Sequence, residues 1–202
     1  MNKGFTVWLT GLSGSGKSAI SHLLGKKLKE QGRNVEILDG AVVRTNLCQG
    51  LDFHKQDQDI YVQRIAFVCK LLARNGVAVI SATISPSRGA RENARKEIGD
   101  FIEVYAKCPA EACAQREVDG MHQKALKGEI QDFQGASDPY EEPLNPDLIV
   151  ETDKETAEES VNKIINKLIE LGYLSPKWPA SHVYSSEEED RIKERLSRLG
   201  YI

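Results

Sequence analysis

No apolar run in this 202-residue chain approaches the length of a membrane span, and the start carries no leader-like pattern. Met1-Asn2-Lys3-Gly4 leads straight into a candidate strand, so a cytoplasmic protein without a membrane partner is expected. Charge of one sign is also missing. Lysine and arginine (27) nearly balance aspartate and glutamate (30), and a net charge of -3 gives no basic face for nucleic acid. The four cysteines, Cys48, Cys69, Cys108 and Cys113, form no CxxC pair. None of the histidines, His22, His54, His122 and His182, stands at ligand spacing from them, so zinc and redox chemistry give way to idle reduced thiols. There is no internal repeat. What remains is an ordinary globular composition, 40% apolar and 28% charged, enough for one well-buried domain.

One stretch organises the rest. Gly11-Leu12-Ser13-Gly14-Ser15-Gly16-Lys17-Ser18 has the spacing of a phosphate-binding loop, a glycine, four residues, then Gly-Lys-Ser. Glycines let successive backbone N–H groups turn inward as an anion nest. Lys17 is placed to put a charge on the β/γ-phosphates of a nucleoside triphosphate, and the Ser18 hydroxyl to ligate Mg²⁺. The context suits the motif. Phe5-Thr6-Val7-Trp8-Leu9-Thr10 reads as a buried strand, and Ala19, Ile20, Leu23, Leu24 and Leu28 mark the apolar stripe of a helix from Ser18 onward. That helix aims its positive end at the phosphates.

Downstream, Val35–Leu38 reads as a short strand closed by Asp39-Gly40. Asp39 is either a turn or cap aspartate or a site carboxylate, and the phosphate loop beside it favours the site. Arg44, one helical turn on, reaches the same cleft. Phe53 lies in a polar loop, where it either tucks under or serves as a stacking platform. A helix is predicted from Ile60 to Arg74, then strands at Val77–Ile80, Phe101–Ala106 and Leu148–Val150, and a helix from Ala157 to Leu171. Arg88, Arg91 and Arg95 lie on neighbouring helical turns, as a solvated face or as anion contacts. Residues 119–143 read as a lid, because so long a polar segment inside a compact domain is usually functional. Alternating strands and helices give a three-layer α/β fold around a mostly parallel sheet of about five strands. The domain is expected over 1–172. Beyond it, residues 173–202 read as a linker with a short helix striped by Ile192, Leu196 and Leu199, docking on its own domain or on a second subunit.

Several stretches appear together in one order: Leu38-Asp39-Gly40-x-x-Val43-Arg44, Gly50-Leu51-x-Phe53, Ile84-Ser85-Pro86-x-Arg88, Lys124-Ala125-x-x-Gly128-Glu129-Ile130, Phe133-x-Gly135 and Pro139-Tyr140-Glu141-x-Pro143-x-Asn145-Pro146-Asp147-Leu148. Over about residues 3–172 they resemble the adenylylsulfate kinase (APS kinase) family. The resemblance implies a P-loop kinase fold, commonly homodimeric, that moves the γ-phosphate of ATP to the 3′-hydroxyl of adenylyl sulfate to make PAPS. It implies that Gly11, Leu12, Ser13, Gly14, Ser15, Gly16, Lys17 and Ser18 bind the ATP phosphates and that Ser18 and Asp39 hold Mg²⁺. Lys17, Asp39 and Ser85 then carry catalysis, Ser85 matching a serine described in the family as a phosphoserine. Arg44, Ile84, Ser85 and Lys124 contact the acceptor, and Phe53 and Phe133 sandwich its adenine.

The chain departs from that pattern on the acceptor side. A second aspartate usual in the family is Ala41, and the family's Asp-Arg-x-x-Asn-x-Arg-Arg becomes Asp57-Gln58-x-x-Tyr61-x-Gln63-Arg64. Asp119, His122 and Gln123 replace lid residues, and Ser87 replaces a tyrosine. Two other readings therefore stay open: a kinase of the same fold with another nucleotide-linked acceptor, and a non-catalytic nucleotide-binding module.

Overall fold

A computed structural model describes residues 3–51, 55–116 and 140–176. In chain order the elements are β1 (Phe5–Thr10), α1 (Lys17–Glu30), β2 (Val35–Asp39), α2 (Gly40–Leu47), α3 (Lys55–Ala73), β3 (Ala78–Ala82), α4 (Arg88–Ile98), β4 (Phe101–Lys107), α5 (Ala110–Arg116), β5 (Leu148–Glu151) and α6 (Ala157–Glu170). The strands form one parallel sheet in the order β2-β3-β1-β4-β5, with Phe5 beside Ala78, Thr6 beside Phe101 and Asp39 beside Ala82.

β1 is the centre of that sheet and every residue in it is buried. Its side chains alternate between two cores. Phe5, Val7 and Leu9 face Leu24 and Leu28 of α1 and Ile164 and Leu168 of α6, while Trp8 faces Ile65 and Cys69 of α3 and Ala90 and Ala94 of α4. A strand sandwiched between helices needs apolar residues at both parities, which is why Val77–Ile80 and Phe101–Ala106 read as unbroken apolar runs. Thr156 caps α6 in a reciprocal capping box with Glu159.

Several element ends differ from expectation, β3 running to Ala82 rather than Ile80. α3 begins at Lys55, five residues before Ile60, because its first turn is polar and the apolar stripe only enters at Ile60. Asp57 in that turn suits the positive end of the helix. Beyond α6, Leu174 is buried in the core and the Tyr173 hydroxyl donates to Asp100 at 3.1 Å. The remainder of the predicted tail and most of the predicted lid, residues 177–202 and 117–139, lie outside the described residues, as does the loop 52–54.

All five strands being parallel, their C-terminal ends share one edge. β1 feeds α1 on one face, whereas β3 feeds α4 on the other. The chain thus diverges between the ends of β1 and β3, and such a divergence opens a cleft there.

Candidate active site

The loop Gly11–Ser18 rims that cleft. Gly11 and Gly14 adopt φ of 147° and 75°, and a Cβ would meet the Ala106 carbonyl oxygen at 2.5 Å from Gly11 and that of Cys113 at 2.3 Å from Gly14. Only glycine fits either position. No side chain caps the N-terminus of α1, so its first amides face the loop without an internal partner. Lys17 is 8% exposed, and its Nζ donates to the carbonyls of Gly11 (2.9 Å) and Leu12 (2.6 Å) and to Ser15 Oγ (3.4 Å). Burial lowers its pKa to about 8, against the opposing fields of Cys113 and Asp39.

Across the cleft the Ser18 hydroxyl donates to Asp39 Oδ2 at 2.7 Å. The second residue of α1 and the last residue of β2 therefore present two hard oxygens at one point. Asp39 runs directly into α2, which carries Arg44 one turn later. The Arg44 guanidinium lies 5.1 Å from the centre of the Tyr61 ring and donates to the Leu51 carbonyl at 3.3 Å. Of the altered positions on α3, Gln58 and Tyr61 are buried, whereas Gln63 is exposed.

The third rim is the segment after β3. Ser85 is 1% exposed and stands at φ 43°, a strained value for a residue with a Cβ. Its hydroxyl accepts from Trp8 Nε1 (2.9 Å) and donates to Thr10 Oγ1 (3.1 Å). Thr10 donates onward to the Ile84 carbonyl (2.7 Å) and sits 2.9 Å from the Tyr140 hydroxyl. This hydrogen-bonded chain joins the end of β1, where the phosphate loop begins, to the 84–85 segment and to Tyr140.

Arg91 and Arg95 of α4 are struts within the fold, while Arg88 is exposed and its side chain donates to the Glu142 carbonyl at 2.7 Å. Arg91 donates to Glu103 Oε1 (2.7 Å) and to the carbonyls of Ser85 (2.6 Å), Pro86 (3.0 Å) and Glu141 (2.7 Å). Arg95 pairs with Asp147 (2.8 Å), whose other contact is the Glu103 amide. The Tyr140–Leu148 stretch is thereby clamped to β4 and to the loop after β3. The Arg91 and Glu103 side chains are nearly inaccessible, and removing one partner of a buried pair costs about 3–5 kcal/mol. Arg91→Met is expected to lower the melting temperature by roughly 6–20 °C, at about 2–4 °C per kcal/mol for a chain of this size. Arg91→Met with Glu103→Gln should lose less than the two single losses together, and thermal melts of the three variants check this.

Lys17, Ser18 and Asp39 thus converge, Arg44 lies on the helix that follows Asp39, and the Ile84 carbonyl accepts from Thr10 at the end of β1. Phe53, Lys124 and Phe133 lie outside the described residues. Thr10 and Tyr61 carry contacts that sequence reading did not assign. Thr10 shares the Trp8 face of β1, which is a legible hint, but Tyr61 meets Arg44 only through the packing of α3 on α2.

The family model for adenylylsulphate kinase matches residues 3–151. The chain is 52% identical over 175 residues to an adenylyl-sulfate kinase of Picosynechococcus sp., covering 87% of this chain and 99% of that protein. It is 53% identical over 173 residues to the adenylyl-sulfate kinase of Rippkaea orientalis, covering 86% and 96%. Among solved structures, the Mycobacterium tuberculosis APS kinase in complex with AMPPNP and APS superimposes with a TM-score of 0.80 at 38% identity, over 83% of this chain and 99% of that one. A hexameric APS kinase from Thiobacillus denitrificans gives 0.66 at 33% identity, over 86% of this chain and 30% of the other.

Proposed function

The chain belongs to the adenylylsulphate kinase family, and we propose that Lys17, Ser18 and Asp39 are the residues through which it transfers the γ-phosphate of ATP to the 3′-hydroxyl of adenylyl sulfate, giving PAPS and ADP. It is an ATP-dependent phosphotransferase. Such transfer depends on positioning and charge stabilisation more than on covalent chemistry. The loop amides of Gly11–Ser18 and the free end of α1 hold the triphosphate, and Lys17 neutralises charge on its β/γ end. Asp39 orients the acceptor hydroxyl and takes its proton.

Mg²⁺ fits the residues present. Ser18 Oγ and Asp39 Oδ2 are adjacent hard oxygens, and no group of three or more acidic, histidine or cysteine side chains gathers among the described residues. Magnesium is characteristically held by one or two protein oxygens together with phosphate oxygens. When bound, it supplies charge neutralisation between the β- and γ-phosphates.

Ser85 acts here as a positioning residue. Its hydroxyl is buried and engaged on both sides, which supports direct in-line transfer without a phosphoserine. Arg44, Ile84 and Lys124 contact the acceptor and Phe53 and Phe133 stack its adenine; resemblance to the family supports these assignments. Homodimerisation is part of the same proposal, supported by the exposed apolar face of Leu47, Ile60 and Phe67. So is a cytoplasmic location, with no helix among the described residues long and apolar enough to cross a membrane.

The observation that carries this reading is the 2.7 Å contact of Ser18 with Asp39 beside the Lys17 loop. The test is ADP release from ATP with adenylyl sulfate, set against a panel of other nucleotide conjugates. Release with adenylyl sulfate well above every other acceptor is expected. Background release with it, beside clear release with another conjugate, overturns the acceptor assignment.

A further inference from the structure

We propose that Tyr61 is a positioning residue for the acceptor side of the cleft, its ring fixing the Arg44 guanidinium and its hydroxyl fixing the Gly40 carbonyl next to Asp39. This rests on the assignment of Arg44 to the acceptor. α2 spans eight residues, starts directly at the end of β2 and is followed by a polar loop, so it cannot hold Arg44 in place by itself. The support comes from α3. Tyr61 is buried in the core cluster on that side of the sheet, and its ring centre lies 5.1 Å from the guanidinium carbon, within cation–π range. Stacking occupies the face of a guanidinium and leaves its edge N–H groups for planar anions. One of those edge donors already reaches the Leu51 carbonyl, which fixes the rotation of the fork.

The hydroxyl does a second job. It donates to the Gly40 carbonyl at 3.3 Å, and a Cβ on Gly40 would lie 3.6 Å from it and 3.4 Å from the Ala82 carbonyl oxygen. The backbone just after Asp39 is thus held between α3 and the end of β3. Burial pushes the phenol up to about 12, which keeps it a neutral donor at physiological pH. One side chain on α3 therefore sets the position of both the residue that meets the acceptor's charge and the backbone that carries the acidic residue.

The test is a double-mutant cycle on the full chain, with steady-state kinetics in ATP and adenylyl sulfate and a thermal melt for each variant. Tyr61→Leu is expected to raise KM for adenylyl sulfate about tenfold with KM for ATP unchanged. Tyr61→Phe keeps the ring, so KM stays at the parent value while kcat falls about threefold through the lost Gly40 tether. In an Arg44→Ala background, Tyr61→Leu should change KM for adenylyl sulfate less than twofold, because the ring acts through Arg44. Effects that multiply independently overturn the inference. So does a Tyr61→Phe variant that matches Tyr61→Leu in both KM values and in melting temperature, which is the mark of a merely structural residue. An Arg44→Ala variant with parental KM for adenylyl sulfate overturns the assignment of Arg44 itself, and this inference falls with it.

Discussion

Replacing Lys17 by methionine is expected to lower kcat by about 10²–10³-fold, the loss typical of removing one preorganised donor from a developing charge. The fold should survive with its melting temperature within about 4 °C of the parent. Lys17 is buried and its charge is disfavoured there, so an apolar chain of similar length removes a desolvation cost as well as the bonds to Gly11 and Leu12. A methionine variant that turns over within tenfold of the parent overturns the phosphate-loop assignment.

The same residue predicts how stability and affinity follow pH. Its pKa falls from 10.5 to about 8 on folding. Between about pH 8 and 10.5 the unfolded chain binds the proton that the folded chain has lost, so unfolding free energy rises with pH across that window. Below about pH 8 both states are charged and the full cost of burial is present. The parent should therefore gain stability relative to Lys17→Met as pH climbs from 8 to 10.5, by up to about 3 kcal/mol. Denaturant melts of both proteins at several pH values check the sign. Triphosphate binding restores the charged form, so ATP should bind with proton uptake above pH 8 and weaken toward about tenfold per pH unit. Calorimetry in buffers of different ionisation enthalpy measures that uptake.

How far these features were legible follows from which interactions are local. The Gly11–Ser18 loop, the apolar strands and the stripes of α1 and α6 are encoded within a few residues of themselves, and each appears where periodicity and spacing put it. The placing of Asp39 at the end of β2 was legible from the same local pattern, and its contact with Ser18 follows from that strand end lying beside the loop. Strand order was not, since placing β1 between β3 and β4 depends on which helices cover which face. Arg91 and Arg95 show the same limit from the side-chain end. Their spacing left a solvated face and anion contacts both open, whereas their partners, Glu103 on the strand that follows α4 and Asp147 just before β5, are set by how the helix packs back on the sheet. Ser85 matched a family serine by position, while the φ of 43° and the bonds to Trp8 and Thr10 that define its surroundings emerge only from the packing of β1 against β3.

Asp39→Asn should produce the second large loss, about 10²–10⁴-fold in kcat, the range of a general base. The substitution keeps an oxygen able to accept the Ser18 hydroxyl now donated at 2.7 Å, so the local geometry persists while the charge goes. Nothing nearby in sequence replaces it, because Asp39 is the sole acid in Leu38–Arg44 and alanine stands at 41. The two roles assigned to this carboxylate leave different residues of activity. A lost metal ligand raises the magnesium concentration needed for half-maximal rate, and excess metal then restores part of kcat. A lost base lowers kcat in a way that no amount of metal restores. Because both roles meet at one side chain, Asp39→Asn should show a raised magnesium requirement together with a loss of kcat that persists at saturating metal. Activity within tenfold of the parent, at an unchanged magnesium requirement, would move both the metal and the proton to some other group and leave the Ser18–Asp39 contact a structural one.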